Sequence, residues 1–178
     1  NKILSSIHKS RSSTLGATFE LLKEYNTGLL CLSGGRNGLC GASVLQTPVD
    51  ASRKIIENIS KAFNDRFYIE IDRTNRANEN EYNNIALALA KELDLPIVAS
   101  NDVLFINDSD YEANEVKVSI IQKTKLDDRA NQDEYSPNQY FKPQDEMISL
   151  FQDQISALTN ISNIVERCNF KFPKFRYH

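Results

Sequence analysis

Asp102 is the side chain of this sequence whose position best suits chemistry. It follows the short apolar run 96–99, which is typical of a buried parallel strand. The carboxyl ends of such strands are where α/β folds hold their ligands, and a carboxylate there can bind a divalent cation or accept a proton. Asn101 and Asp102 also suit a turn or a helix cap, because both side chains bond readily to nearby backbone. The sequence alone leaves both interpretations open.

Two further carboxylates, those of Glu70 and Asp72, alternate along the segment 66–72 and share one face of a predicted strand. Together with Asp102 they are the candidates for a metal site at one end of the sheet. We favour a charged face that is exposed to solvent or paired with Arg66 and Arg73, because no histidine accompanies the carboxylates.

Histidine and cysteine restrict the chemistry further. Only His8 and His178 are present, near opposite ends of the chain, so a mechanism that needs clustered imidazoles is excluded within these residues. Cys31, Cys40 and Cys168 are odd in number and lack C-x-x-C spacing. This pattern favours reduced cysteines of an intracellular protein over a disulfide framework or a zinc site. Cys31 lies in an apolar run and is interpreted as a small core residue.

Four of the six glycines, Gly34, Gly35, Gly38 and Gly41, follow a predicted strand. Backbone N–H groups in such a segment could cradle an oxyanion. The segment lacks the Lys-Ser/Thr of a phosphate-binding loop and the spacing G-x-G-x-x-G. We therefore favour a tight turn that needs positive φ angles over a phosphate site.

The last nine residues, 170–178, interleave aromatic and basic side chains. Such a pattern can bind single-stranded nucleic acid by stacking and charge, but we favour packing against a following domain. The chain begins at Asn1 without a methionine and ends without a stop signal for a helix or strand, so we expect it to be a piece of a longer protein. The side chains of this tail are Phe170, Lys171, Phe172, Lys174, Phe175, Arg176, Tyr177 and His178.

The elements that must position these residues alternate between strand and helix patterns. This alternation predicts an α/β fold with a parallel sheet and helical crossovers. The strand patterns cover residues 28–33, 66–72 and 96–99.

Helical apolar spacing begins after Asp50, after a capping box formed by Asn78 and Glu81, and near Ser109. The final third of the chain differs, because it opens with a polar segment that we predict to be an ordered loop. Two further helices follow, the first of them with Pro143 at its first position. The loop covers residues 124–140, and the last helix covers residues 155–168.

Composition limits the class of protein. The length of 178 residues suggests one domain, and 40% apolar with 25% charged residues is ordinary globular usage. The formal net charge of -3 argues against a dedicated nucleic-acid-binding surface, which needs many phosphate-neutralising cations. No apolar run approaches the roughly 18 residues that a membrane-spanning helix needs.

Six strings of this sequence resemble, in order and spacing, the PHP (polymerase and histidinol phosphatase) domain of bacterial replicative DNA polymerase III alpha subunits. The resemblance runs from about Thr27 to the end, over four fifths of the chain, while the first 26 residues match poorly. Several strings in a fixed order are more specific than any single motif. The strings are GLLCLSGGR (28–36), DRFYIE (65–70), LPIVASNDV (95–103), KLDD (125–128), YSPNQYF (135–141) and IVERCN (164–169).

The resemblance implies the later strands of a distorted seven-stranded β/α barrel, followed by C-terminal helices. Residues 1–169 would form a partial PHP domain without its amino-terminal strands, and residues 170–178 would begin the linker toward the polymerase core. The early His-x-His segment of the family and several other metal-ligand positions would precede Asn1.

Two positions depart from the metal-binding pattern of the family. Asp102 aligns with the aspartate of the last metal motif, Asp-x-His, but Leu104 stands in place of the histidine and has no lone pair to donate. Gly35 stands where metal-binding members commonly have cysteine. The pattern resembles the proteobacterial branch, in which this site has decayed, and it leaves Asp102 as a vestigial metal ligand.

By this resemblance we expect a non-catalytic scaffold within a cytoplasmic DNA-directed DNA polymerase. The chain would support the polymerase core and bind the proofreading exonuclease (epsilon) subunit and the rest of the holoenzyme, with no cofactor of its own. Mg²⁺ and most contact with DNA would belong to the rest of the polymerase, whose metal-binding aspartates would follow His178. The alternatives are a metal-dependent phosphoesterase or pyrophosphatase that uses Asp102 with Glu70, and direct DNA binding through the basic aromatic tail.

Overall fold

The computed structural model describes residues 2–9, 16–125 and 135–171. Within these ranges α-helices and β-strands alternate along the chain, and none of the described helices is long and apolar enough to span a membrane. The helices are Lys2–Lys9 (α1), Phe19–Glu24 (α2), Leu39–Gln46 (α3), Val49–Phe63 (α4), Glu79–Glu92 (α5), Tyr111–Gln122 (α6), Gln144–Leu150 (α7) and Ile155–Arg167 (α8). The strands are Cys31–Leu32 (β1), Phe67–Asp72 (β2) and Ile97–Ser100 (β3).

The three strands form one parallel sheet in the order β1-β2-β3, which confirms the predicted fold class. Ile69 lies opposite Ile97, and Asp72 lies opposite Ser100. Helices α3 and α4 connect β1 to β2, and α5 connects β2 to β3. The carboxyl ends of the strands therefore meet at one edge of the sheet, where Asp72 ends β2 and the segment leading to Asp102 leaves β3.

The central strand β2 separates an apolar face from a polar one, as its alternating sequence predicts. Phe67, Ile69 and Ile71 are at most 1% exposed. Phe67 and Ile69 pack with side chains of α3, α4 and α5, while Ile71 packs with Phe151 and with Ala99 of β3. Burial of each large apolar side chain contributes about 1.5–3 kcal/mol. This packing fixes the strand so that its polar side chains face the opposite way.

Strand β1 is shorter and less buried than predicted. The apolar run suggested a buried strand over residues 28–33, whereas the strand is Cys31–Leu32 and the side chains of Leu29 and Leu32 are 40% and 42% exposed. The cause is its place in the sheet, because β1 pairs with β2 alone and no described strand lies on its outer side. Cys31 is half-buried and packs against the main apolar cluster.

Three predicted helix starts differ from the structure by a residue or in their capping. Helix α4 has Pro48 at its N-cap rather than Asp50, which lies in the first turn. Asn78 precedes α5 with a φ of 60° and its side chain makes no capping bond, so the predicted box with Glu81 is absent. Pro143 is the N-cap of α7 rather than its first residue.

The glycine cluster forms the predicted tight turn after β1. Gly34 and Gly35 have φ angles of 82° and 55°, which favour glycine. A Cβ on Gly35 would lie 2.3 Å from Oδ2 of Asp72, and a Cβ on Gly41 would lie 2.3 Å from the carbonyl oxygen of Arg36. The turn thus needs glycine both for its backbone angles and for its close approach to the end of β2.

The last helix, α8, covers β3 through small and polar side chains. Ala157 is fully buried, and the Asn160 amide donates a hydrogen bond to the carbonyl of Ile97 at 2.8 Å. Ile155 and Val165 of the predicted apolar stripe are 59% and 67% exposed. The predicted loop over 124–140 lies partly outside the described residues, and the tail from residue 172 onward lies wholly outside them.

Candidate functional site

A small polar cavity of about 210 Å³ lies at the carboxyl edge of the sheet. The carboxylates of Glu70, Asp72 and Asp102 line it, so the structure brings together all three acidic residues that the sequence singled out. Gly34, Asn37 and Arg76 complete the lining. Arg76 is the one basic side chain among these lining residues, and its positive charge opposes the binding of a metal ion in the cavity.

Arg76 is held among three carboxylates. Its side chain is only 2% exposed, and its Nη1 atom lies 2.5 Å from Oδ2 of Asp102. Its Nη2 atom lies 3.6 Å from Oδ2 of Asp72, and its Nε atom lies 3.9 Å from Oε2 of Glu79. The Nε–H group also donates to the hydroxyl of Thr74 at 2.8 Å. A buried charge is tolerated when it is paired and hydrogen-bonded in this way.

The loop after β2 places Arg76 in this position. The Glu79 carboxylate accepts hydrogen bonds from the backbone N–H groups of Thr74 and Asn75 at 2.8–3.1 Å, and from the Thr74 hydroxyl. Asn75 and Asn78 both have a φ of 60°, a left-handed conformation that asparagine tolerates better than most residues. The loop therefore turns back over the end of β2 instead of extending away from it.

Burial perturbs the carboxyl group of Asp72. It is 3% exposed, and burial raises its pKa to about 7. The neighbouring carboxylate of Glu70 raises this pKa further, whereas the guanidinium of Arg76 lowers it. The Oδ1 atom of Asp72 has no hydrogen-bond partner among the described residues. A proton near neutral pH relieves the cost of a buried negative charge.

Glu70 ties the glycine turn to the central strand. Its carboxylate accepts a hydrogen bond from the backbone N–H of Gly34 at 3.1 Å. Its own backbone N–H donates to the hydroxyl of Ser33 at 2.8 Å, and its carbonyl accepts from the hydroxyl of Tyr82 at 2.8 Å. Glu70 is thus a structural link between β1, β2 and α5.

Asp102 has the turn conformation that its sequence position allowed, and its side chain lines the cavity. Its backbone has a φ of 41°, which is a turn conformation, while its side chain is 45% exposed at the cavity and bound to Arg76. The side-chain amide of Gln139 donates to the Asp102 carbonyl at 3.1 Å and lies 3.3 Å from its Oδ2 atom. Gln139 also accepts from the backbone N–H of Ser136, whose hydroxyl donates to the Thr74 carbonyl.

Gln139 is fully buried and joins the segment after residue 134 to the end of β3. We expect Gln139→Ala to destabilise the chain by about 1–3 kcal/mol, because it leaves the Ser136 N–H and the Asp102 carbonyl without their partner. Urea denaturation measures the change. Gln152→Ala, at an exposed position, is the matched control, and an equal loss in both variants would contradict the assignment.

The prediction that Arg66 and Arg73 pair with the acidic face of β2 is wrong. Arg66 donates to the carbonyl oxygens of Asn26 and Leu29, and Arg73 forms a two-pronged pair with Asp153 at 2.5 and 2.7 Å. The face is also not solvent-exposed at Asp72. The spacing left open a solvent-exposed face or pairing with a nearby arginine, because the path of the loop decides which arginine approaches the carboxylates.

The residues of the cavity do not fit a bound metal ion. Three carboxylates line the cavity, but a permanently charged guanidinium lies among them and would repel a divalent cation. The described residues contain no group of three histidine, cysteine or acidic side chains arranged to hold a metal. Leu104 lies two residues beyond Asp102, 41% exposed, with its backbone N–H bonded to the Gln139 carbonyl.

Two residues of the site, Arg76 and Gln139, were not predicted from the sequence. Arg76 follows Asp72 by four positions in a loop, and the neighbouring Arg66 and Arg73 carried an equal signal. Gln139 lies in a turn-rich segment far along the chain, and nothing in its local pattern marks a buried residue. The repeated carboxylates around one strand end indicated a charged face, exposed or paired with a nearby arginine, but did not identify Arg76.

Residues 1–74 match the PHP domain family. The match covers both the glycine turn and β2. It also includes residues 1–26, so the prediction that these residues match the family poorly is wrong. The resemblance stated from the sequence is thereby confirmed.

The curated relatives extend the likeness beyond the PHP match. The chain is 41% identical over 148 residues to the DNA polymerase III subunit alpha of Escherichia coli K12, and 40% identical over 148 residues to that of Vibrio cholerae. It is 37% identical over 156 residues to that of Pseudomonas aeruginosa. These alignments cover 83–88% of this chain but only 13% of each relative, so the chain spans about an eighth of the length of the proteins it matches.

Proposed function

We propose that this chain is a non-catalytic scaffold within a DNA polymerase III alpha subunit. In the whole protein it supports the polymerase core and offers a surface to the proofreading exonuclease (epsilon) subunit, in the cytoplasm. The DNA-directed polymerase reaction, its Mg²⁺ ions and most DNA contacts belong to the remaining parts of that subunit. The observation that carries the proposal is the buried guanidinium of Arg76 among the carboxylates of Asp72, Glu79 and Asp102.

The chemistry of that cluster supports a structural role. Hydrolysis at a multinuclear site needs metal ions that lower the pKa of bound water and polarise the phosphoryl oxygen. A guanidinium neutralises the same carboxylates but has no vacant coordination position for water. It instead holds the ends of β2 and β3 together through ion pairs and hydrogen bonds. The cluster therefore contributes stability rather than turnover.

The parent polymerase supplies the test of the scaffold role. In the intact alpha subunit that contains this sequence, we expect Arg76→Ala to lower the temperature at which primer extension is lost, with KM for nucleotide at 25 °C unchanged. The surface variant Arg53→Ala is the control, because Arg53 is 41% exposed and pairs at the surface. Equal thermal inactivation of the two variants contradicts the scaffold role.

The second candidate is a metal-dependent phosphoesterase or pyrophosphatase. It is favoured by the exposed side of Asp102 and by the unpartnered Oδ1 of Asp72 in the same cavity. We expect bis-p-nitrophenyl phosphate and pyrophosphate to show no turnover with this chain in Mg²⁺, Mn²⁺ or Zn²⁺. Metal-stimulated hydrolysis that Asp102→Ala abolishes would establish this candidate in place of the first.

A further inference from the structure

Helix α6 has an apolar stripe on its solvent-exposed side. Its buried residues, Asn114, Val118 and Ser119, lie on one side of the helix. On the opposite side the side chains of Val116 and Ile120 are 47% and 72% exposed. The exposed face consists of Ala113, Val116, Lys117 and Ile120, at positions i, i+3, i+4 and i+7. This is the spacing of a helix face that packs against another element, yet the described part of the chain leaves it uncovered.

The charges of the same segment are separated along its length. Residues 108–115 contain four acidic and no basic side chains, whereas residues 116–125 contain three basic and no acidic ones. Neither Glu112 nor Lys123 forms an ion pair with the described residues. The segment therefore has an acidic half and a basic half, each with a charge that a partner can neutralise. The acidic residues are Asp108, Asp110, Glu112 and Glu115, and the basic ones are Lys117, Lys123 and Lys125.

We propose that α6 packs antiparallel against α6 of a second copy of this chain, so that the two copies form a dimer with twofold symmetry. In this arrangement the acidic half of each helix lies against the basic half of the other, and the partner's Lys123 lies beside Glu112. The apolar stripes meet in the centre, where the small side chain of Ala113 leaves room for the partner's Ile120. A different protein would need both a matching stripe and an equally divided charge, which this chain already has.

The length of α6 limits the strength of this dimer. Its 12 residues extend over about 18 Å at ~1.5 Å per residue. Such an interface lies at the small end of the range for specific protein complexes, so we expect a dissociation constant on the order of 10–100 µM. None of the residues that line the carboxylate cavity takes part, so the inference does not depend on the proposed scaffold function.

Sedimentation equilibrium of this chain, from about 5 to 500 µM, measures the dimer. We expect Ile120→Ser to weaken it at least tenfold, because the substitution removes the apolar side chain at the centre of the stripe. Ile120 is 72% exposed, so the variant keeps its fold, which circular dichroism verifies. The matched control is Ile155→Ser, at a position 59% exposed on α8, and it should change the dissociation constant less than twofold.

An exchange of charges tests the antiparallel arrangement. Glu112→Lys and Lys123→Glu each bring like charges together across the interface, so we expect each single variant to weaken the dimer at least fivefold at low salt. The double variant Glu112→Lys/Lys123→Glu places opposite charges against each other again. Its dissociation constant should return to within twofold of that of the original chain. Neither a parallel pair of helices nor a dimer through another face predicts this recovery.

Three results would overturn the inference. They are a monomer throughout the concentration range, equal dissociation constants for Ile120→Ser and the original chain, and a double charge variant that dimerises as weakly as the single variants. A dimer that Ile155→Ser weakens while Ile120→Ser leaves it intact would place the interface on α8 instead.

Discussion

Replacing Arg76 by alanine destabilises the folded chain by about 3–5 kcal/mol. At pH 8, where Asp72 is ionised, the substitution leaves the carboxylates of Asp72 and Glu79, each 3% exposed, without their cation. Removal of one partner from a buried ion pair is far more damaging than loss of a surface pair, because the remaining charge is uncompensated. Urea denaturation followed by circular dichroism measures the free energy of unfolding.

The control for this prediction is a surface arginine. Arg53 is 41% exposed and pairs with Glu92 at 2.6 Å and with Glu57 at 3.4 Å, and we expect Arg53→Ala to cost less than about 1 kcal/mol. In a double-mutant cycle, Asp72→Asn should reduce the cost of Arg76→Ala, because one of the stranded charges is removed. Equal costs for Arg76→Ala and Arg53→Ala would show that the carboxylate cluster does not depend on its guanidinium.

Asp72 makes the stability of the chain depend on pH near neutrality. Burial raises its pKa from the ordinary 3.8 to about 7, so between these values the folded state holds a proton that the unfolded state has released. Folding stability therefore falls as pH rises from about 4 to 7, by at most ~4 kcal/mol at 1.36 kcal/mol per pKa unit. We expect Asp72→Asn to remove this loss, so the variant gains stability relative to the original chain between pH 5 and pH 8.

Urea denaturation of both chains at pH 5 and pH 8 provides the measurement. Asp153→Asn is the control, because the hydrogen bond from Arg73 lowers the pKa of Asp153 and its titration falls below this window. Its difference from the original chain should stay constant from pH 5 to pH 8. A constant difference for Asp72→Asn as well would mean that Asp72 is ionised throughout and that Arg76 outweighs burial.

The two expected results concern the same cluster: the first tests its guanidinium, and the second tests one of its carboxyl groups. Arg76 compensates the carboxylates around it, and the pKa of the buried Asp72 is raised to about 7. A domain with this arrangement gains rigidity at the strand ends without any bound ligand. Rigid strand ends are what the proposed scaffold role requires.

Local sequence patterns were sufficient for the positions of the three strands, for helices α4 to α8 and for the acidic half of the site. Alternation along β2 placed Glu70 and Asp72 on one face, since side chains of a strand point to opposite sides in turn. The apolar run before Asp102 placed that carboxylate at the same sheet edge. Both inferences depend on periodicity within a few residues, which the backbone geometry alone imposes.

Such local patterns could not predict contacts between segments that are distant in the sequence. Three arginines, Arg66, Arg73 and Arg76, flank the acidic strand, and their order in the chain does not reveal which one turns inward. The left-handed residues Asn75 and Asn78 and the anchoring of the loop by Glu79 decide it. Sequence periodicity thus determined the parallel α/β sheet and its line of carboxylates. Only the tertiary structure determined that Arg76 pairs with these carboxylates and that Gln139 is buried. Both depend on which loops contact each other in the folded chain.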